Sequence, residues 1–354
     1  MNGVAMTLAC IVDGLQQRNH RIQLIRPRQH ATESPARNVH FEEVLSRGVP
    51  IPRYQGLRIG LPAKQALFRL WSLKRPDVVH IATEGPLGWS ALTAAAKLKL
   101  PISTGFHTNF HSYSQHYGVG FLKKPIAAYL RKFHNRAQAT LVPTEDLRRE
   151  LAVQGFENLR VVSRGVDTRL FSPARRSPQL RRDWGAADGE PVALYVGRIA
   201  PEKNLKLVVD AFSGMRTRVP RTHLVMVGDG PERAALAARN PDIVFAGMRT
   251  GEDLAAHYAS ADVFLFPSLT ETFGNVTLEA MASGLAVVAY DYAAAQQYLA
   301  HERSGLLVPF DDSEAFVRLA AALIADPGRA ASLRVHARAS AERIDWDNVF
   351  DDFE

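Results

Sequence analysis

The sequence predicts an α/β protein built from two doubly wound parallel sheets. Three observations carry that prediction. Short apolar runs alternate with helical stretches through nearly all of the 354 residues, a βα repetition that leads to parallel sheets. The strand runs are continuously apolar rather than alternating, as strands covered on both faces are. The repetition also occurs twice, broken by the polar stretch "FSPARRSPQLRRDWGAADGEP" at 171–191. A chain of this length exceeds what one core usually organises. The expected division is therefore 1–170 and 171–338.

The elements follow in order. The chain opens on a helix-like segment from Ala5 to Arg18, then the strand "RIQLIRP". A doubly wound domain usually begins with a central strand that feeds its first helix. Here that strand would precede Met1, and a start site upstream of Met1 is the expected explanation. "DVVHIAT", "ISTGFHT" and "ATLVPT" read as the remaining strands of the first half. "VALYVGR", "HLVMVGD", "DIVFAG", "DVFLFPS" and "LAVVAYD" read as those of the second. "NLKLVVDAFSGMRT" and "GEDLAAHYASA" are helices between them.

Composition narrows the class. A chain that is 46% hydrophobic and 22% charged is globular. Cys10 is the only cysteine, which removes a disulfide framework and a thiolate metal cage and points to a reducing compartment. No apolar run is long enough to span a bilayer and no signal peptide is legible, so a cytoplasmic location is expected. Residues 1–170 carry 24 Lys and Arg against 11 Asp and Glu, a net of +13, whereas 171–354 carry 19 against 25. The basic half either meets an anionic partner, nucleic acid or anionic lipid headgroups, or is a solvated arginine-rich surface.

Four motifs carry candidate chemistry. "YVGRIAPEKN" places Arg198 and Lys203 between a strand end and a helix start, where open α/β sheets bind ligands and two cations can meet a diphosphate. "TETFGNVTLEAMASG" places Glu271 in a loop and Glu279 in an early helical turn. A separation of eight would put them about 80° apart on one helix, so they are not an acid/base pair on one face. Gly274, lacking a side chain, lets a backbone amide approach a polar ligand closely. "TGFHTNFHSYSQHYGVGF" carries His107, His111 and His116 after a strand. His107 suits acid/base or hydrogen-bonding work, while polar surface is the plainer reading of the other two, and no nearby carboxylate completes a zinc site. Residues 67–76 and 120–137 interleave basic with apolar residues. They fit either a membrane surface or core-packed helices with solvated basic faces. "DWD" at 345–347 reads as a helix start. The absence of GxxxxGK[ST] and of GxSxG removes P-loop NTPases and the usual α/β serine hydrolases.

With these pieces placed, the chain resembles the retaining, GT-B-fold nucleotide-sugar glycosyltransferases of family four. "VGRIAPEKN", "VGDGPER" and "FPSLTETFGNVTLEAMASGLAVVA" carry the resemblance, and "RGVDTRLF" is similar to the family's crossover into its second domain. "FHTNF", "HYGVGFLKKP", "YLRKFHNRA" and "LVPTEDLRREL" look most like GDP-mannose-dependent α-mannosyltransferases with lipid acceptors. The resemblance implies two Rossmann-like domains facing a cleft, an acceptor domain 1–170 lacking its first strand, a nucleotide-sugar domain 171–338, and a C-terminal helix within 339–354 that can return to the first domain.

It also implies roles. Arg198 and Lys203 would bind the donor diphosphate in place of a divalent metal, with no cofactor. Glu271, with Phe273, Gly274, Asn275 and Val276, would hold the donor sugar, and Glu279 the ribose. Met248 would contact the nucleobase by its backbone, Gly3 would belong to the glycine loop facing the diphosphate, and His107 would orient sugar or acceptor. The expected partners are a nucleotide sugar and a lipid or glycan acceptor, with an anionic membrane surface along 67–76 and 120–137 and no nucleic acid. The location would be peripheral at the inner face of the plasma membrane. The alternatives are a UDP-sugar-dependent glucosyl or sulfoquinovosyl transferase acting on diacylglycerol, a chain inactive through N-terminal truncation, and a GT-B epimerase or phosphorylase. One departure stands out: "YDYAAAQQYL" occupies 290–299, where many relatives carry Gly-Gly and an acidic residue.

Overall fold

The computed structural model describes residues 3–51, 54–107 and 123–354. The chain divides into two units, one holding the residues up to 163 together with Val349–Glu354, the other holding Arg164–Asn348.

The second unit is a doubly wound domain. Its strands are β9 (Val192–Val196), β10 (His223–Val227), β11 (Val244–Gly247), β12 (Val263–Phe266), β13 (Ala286–Tyr290) and β14 (Leu306–Val308). They form one parallel sheet in the order β11-β10-β9-β12-β13-β14. The order runs outward from β9 to one edge and then restarts at β12 toward the other. That reversal creates a crevice at the carboxyl ends of β9 and β12, where this class of fold receives ligands. Every residue of β9, β12 and β13 is buried, which explains their unbroken Val, Leu, Phe and Ala composition. Helices Leu205–Arg218 and Ser313–Ile324 cover the sheet with Val208, Phe212, Phe316 and Leu323. At the opposite end, Asp262 gathers Arg176 (2.8 Å), Arg181 (3.1 Å) and Arg334 (3.5 Å) and accepts the Val192 amide.

The first unit is built less continuously. Helix Gly3–Gln17 comes first, followed by β1 (Ile22–Pro27) and β2 (Phe41–Ser46), a parallel pair, and β3 (Gly48–Ile51) with β4 (Tyr54–Gly60), an antiparallel pair. Strands β5 (Val79–Ile81), β6 (Ile102–Gly105), β7 (Ala139–Val142) and β8 (Leu159–Val161) form a separate parallel sheet. The parallel strands are thus in two pieces. Strands β2, β3, β4 and β8 escape a search for apolar runs. β2 reads "FEEVLS" and all six of its residues are only half-buried.

The boundary falls between Ser163 and Arg164 rather than after 170. The reason is local: Asp167 Oδ1 accepts the amides of Arg169 and Leu170, both at 2.9 Å. The Val166 amide donates to Ile344 O at 3.2 Å, and Val166 and Phe171 lie in the second unit's core. "RGVDTRLF" therefore belongs entirely to that unit. The last helix, Trp346–Phe353, starts where "DWD" was read as a helix start. Its last turns belong to the first unit. There Phe350 rests where a side chain on Gly14 would stand, Phe353 meets His80 edge-on at 5.0 Å, and Asp351 pairs with Arg18 at 2.5 Å.

Candidate active site

The site is assembled from the loops that leave β9, β10 and β12. After β9 the backbone turns through Gly197 and Arg198 into a short 3₁₀ turn, Pro201–Lys203, and then the helix Leu205–Arg218. The fully buried Tyr195 donates its hydroxyl to the Arg198 carbonyl at 3.0 Å and so fixes the turn. The β10 loop packs directly against it. Gly228 has φ +137° and a side chain there would stand 1.9 Å from the Gly197 carbonyl, so only glycine allows this approach. The Ile199 amide donates to Asp229 O at 3.0 Å, and Ile199 O accepts the Glu232 amide at 3.1 Å. "VGDGPER" is thus the buttress of the Arg198–Lys203 loop.

The β12 loop brings the carboxylate. Lys203 Nζ pairs with Glu271 Oε1, and Ser268 Oγ donates to that same oxygen at 2.7 Å. Lys203 and Glu271 side chains are only 12% and 14% exposed. The pair stands at the β9–β12 reversal, so two residues 68 apart in sequence meet at the crevice. Arg198 is more exposed, and its guanidinium lies 3.3 Å from the fully buried Glu202 carboxylate. Both cations expected to meet a diphosphate are therefore matched by carboxylates.

Beyond Glu271 the chain passes the buried Phe273 and enters a helix at Asn275–Ala282. Gly274 supplies the left-handed residue that starts this helix, with φ +94°. Its first amides, on Asn275 and Val276, belong to a helix N-terminus, which suits hydroxyls or anions. Glu279 comes one turn later, apart from Glu271. Tyr258 donates to its Oε2 at 2.8 Å. Burial pushes the Glu279 carboxyl up to about 7, and the tyrosine bond opposes that rise. The same burial pushes the Tyr258 hydroxyl well above its ordinary value.

Other expected residues lie elsewhere. Met248 follows β11 and is 56% exposed, as a backbone contact to a base allows. His107 follows β6 in the first unit, with its ring folded beside Gly105. Gly3 is the first residue of helix Gly3–Gln17 rather than part of a described loop. His111 and His116 lie outside the described residues. Among the described residues no cluster of His, Cys, Asp or Glu is arranged for a metal.

Sequence reasoning missed four contributors. Arg164 lies over the Phe273 ring at 5.3 Å and donates to Asn275 Oδ1 at 3.1 Å. Ser268 and Tyr258 hold the two glutamates as described. The Tyr292 hydroxyl accepts the Glu271 amide. Tyr292 and Ala293 come from "YDYAAAQQYL". Ala293 adopts φ +54°, a left-handed position that favours glycine, and the Ala294 amide donates to Phe273 O at 2.8 Å. The segment therefore braces the Glu271–Phe273 loop.

The basic segments also resolve. In the helix Lys123–His134, Leu130 and Phe133 are buried in the first unit's core, while Lys124, Arg131 and Lys132 are exposed. In Lys64–Leu73, Leu67 and Trp71 are buried and Leu73 is 88% exposed. Their apolar faces are thus core faces; the basic faces remain on the surface.

Comparison with known proteins gives the family. The profile described as Glycosyltransferase Family 4 matches residues 1–170, and that described as Glycosyl transferases group 1 matches 190–326. The chain belongs to glycosyltransferase family 4. It is 35% identical to a GDP-mannose-dependent alpha-mannosyltransferase of Mycobacterium tuberculosis, across 89% of this chain and 82% of that one. It is 32% identical to a sulfoquinovosyl transferase of Arabidopsis thaliana, across 85% of this chain and 60% of that one. A sucrose-phosphate synthase from Thermosynechococcus elongatus has the same fold, with a TM-score of 0.80 at 20% identity over 99% of this chain and 92% of that one. This family member is a hexosyltransferase of the GT-B fold, with two Rossmann-like domains. No helix among the described residues is long and apolar enough to cross a membrane.

Proposed function

We propose that this glycosyltransferase moves mannose from GDP-mannose to a membrane-associated lipid or glycan acceptor, with retention at the anomeric carbon. The observation that carries the reading is the Lys203–Ser268–Glu271 cluster at the sheet's reversal. The identity to the mycobacterial mannosyltransferase supports the choice of sugar nucleotide.

In this reading the donor diphosphate lies against Lys203 and Arg198. Its arrival draws both cations from Glu271 and Glu202, and they stabilise the charge that develops as the nucleoside diphosphate leaves. A prepositioned positive cradle is the largest catalytic device of such sites, with single donors worth about 10²–10³ in kcat. It acts here in the role that a divalent metal fills elsewhere. Glu271 and the amides of Phe273–Val276 hold the sugar, and Glu279 takes the ribose hydroxyls as a carboxylate acceptor. The exposed Lys124, Arg131 and Lys132 give a weak, salt-sensitive attraction to anionic headgroups, consistent with a peripheral place at the cytoplasmic face of the plasma membrane.

A second reading is a UDP-sugar donor with a diacylglycerol acceptor, favoured by the identity to the plant sulfoquinovosyl transferase. One assay separates them: transfer from GDP- and UDP-sugars to lipid extract, with and without EDTA. The first reading expects GDP-mannose turnover that EDTA leaves intact. Turnover of UDP-sugars alone supports the second, and strict metal dependence defeats the cation mechanism, as does full activity in the Lys203→Ala, Glu271→Ala double variant.

A further inference from the structure

Arg164 is an unusual cation. It is 7% exposed, and among the described residues no carboxylate lies within ion-pair distance of it. Its guanidinium is pinned on two sides, by the Phe273 ring at 5.3 Å and by Asn275 Oδ1 at 3.1 Å. Burial pulls its pKa down to about 10, and the carboxylate whose field pulls it back up is Glu271. It therefore stays charged at neutral pH, at the cost of an arginine held out of water without a bonded anion.

Glu271 is the shared neighbour. It bonds Lys203 and Ser268 through Oε1, its backbone amide reaches Tyr292, and the buried Tyr195 also feels its field. Lys203 carries its ammonium on a flexible four-carbon stem, whereas a guanidinium stacked on a ring is fixed. An arriving diphosphate competes with Glu271 for Lys203 and cannot displace Arg164, which the loop itself holds.

We propose that Arg164 is a positioning residue for Glu271, the cation that remains with this carboxylate when Lys203 turns to the donor diphosphate. This rests on the reading that Glu271 meets the donor sugar and Lys203 the diphosphate. Arg164 keeps the loop Glu271–Asn275 in one place through Phe273 and Asn275, and keeps the carboxylate charge-balanced through the step in which its first partner leaves. Its location at the start of "RGVD" then has a function: the first residue of the second unit locks a loop 107 residues later.

The test is steady-state kinetics of the full chain with donor varied to saturation, for R164M, R164K, E271Q and the R164M/E271Q pair, each checked for folding by thermal melting. The expected result for R164M is a fall in kcat of about tenfold to a hundredfold, the size of effect that small misplacement produces. Donor KM should change little, so the loss falls on kcat. R164K restores the charge without the fixed stacking and should recover part of the kcat. In the E271Q background R164M should add little. If R164M does not fold, R164Q carries the same comparison. Wild-type kcat in R164M overturns the proposal while E271Q still loses activity. Equal losses in R164M and R164K also overturn it, since they mark a packing role. Full activity of E271Q defeats the donor reading itself.

Discussion

The two units handle the same fold with different degrees of closure. The second has one six-stranded sheet, three strands of which are buried at every residue, and its loops converge on a crevice defined by strand order. In the first, the parallel strands are divided between a pair and a sheet of four, and β1 and β2 are half-buried throughout. Donor chemistry needs fixed charges in fixed places, and the continuous sheet supplies them. The first unit instead offers basic surface and a histidine after β6. The lesson is that prepositioning tracks sheet continuity: two side chains 68 residues apart meet because β9 and β12, whose loops carry them, are paired directly and buried.

The sharpest way to break that comparison is to remove the charge at each unit's scaffold. Asp262 holds three arginines and a backbone amide, so Asp262→Ala strands the buried Arg181 beside two half-buried arginines and should destabilise the second unit by about 3–5 kcal/mol. Arg26, in the half-buried β1, pairs with Glu33 and Glu43. Arg26→Ala should cost less, about 1–3 kcal/mol, because the buried Glu43 keeps the Ala36 amide. Urea melts followed by tryptophan fluorescence read both, and similar losses would erase the distinction.

A smaller effect is expected in donor binding. Glu279 is held up to about 7, so it becomes a full acceptor for ribose hydroxyls only as pH rises through that value. Donor affinity should therefore improve between pH 6 and pH 8. Tyr258 stabilises the ionised form, so Tyr258→Phe should move the transition to higher pH and weaken donor binding at pH 7. A KM profile for donor that is flat over this range argues against Glu279 as the ribose contact.

The smallest effect concerns the departing segment. Ala293 at φ +54° pays a steric penalty that glycine avoids, of about 1 kcal/mol. Ala293→Gly should raise the melting temperature by a few degrees or less while leaving donor KM unchanged. A fall in stability would mean that the methyl packs better than the strain costs.

Much of the second unit was legible in advance. Its strands β9 to β13 stand where apolar runs ended in Gly, Ser or Asp, because burial on both faces demands unbroken apolar sequence. β14 was not read, and β2, β3, β4 and β8 were not, because half-buried or three-residue strands carry too little of that pattern. Loop placement and resemblance pointed to Glu271, Lys203, Arg198 and Glu279, and the structure places the first three on the loops that leave β9 and β12. Arg164 and Tyr292 were not, since their link to Glu271 exists only across the folded sheet and has no signature in spacing. The pairing of Lys203 with Glu271 was equally invisible, since two residues expected at different parts of a ligand gave no sign in spacing that they bond each other.

The central claim is that Lys203 and its neighbours form a diphosphate cradle that needs no metal. Calorimetric titration of GDP into the wild-type chain and the Lys203→Ala variant, both in EDTA, addresses it most directly. The account predicts binding to the wild type and affinity weaker by about tenfold or more in the variant, as loss of a charged partner implies. Equal affinity in both, or binding to the wild type only after a divalent ion is restored, would contradict it.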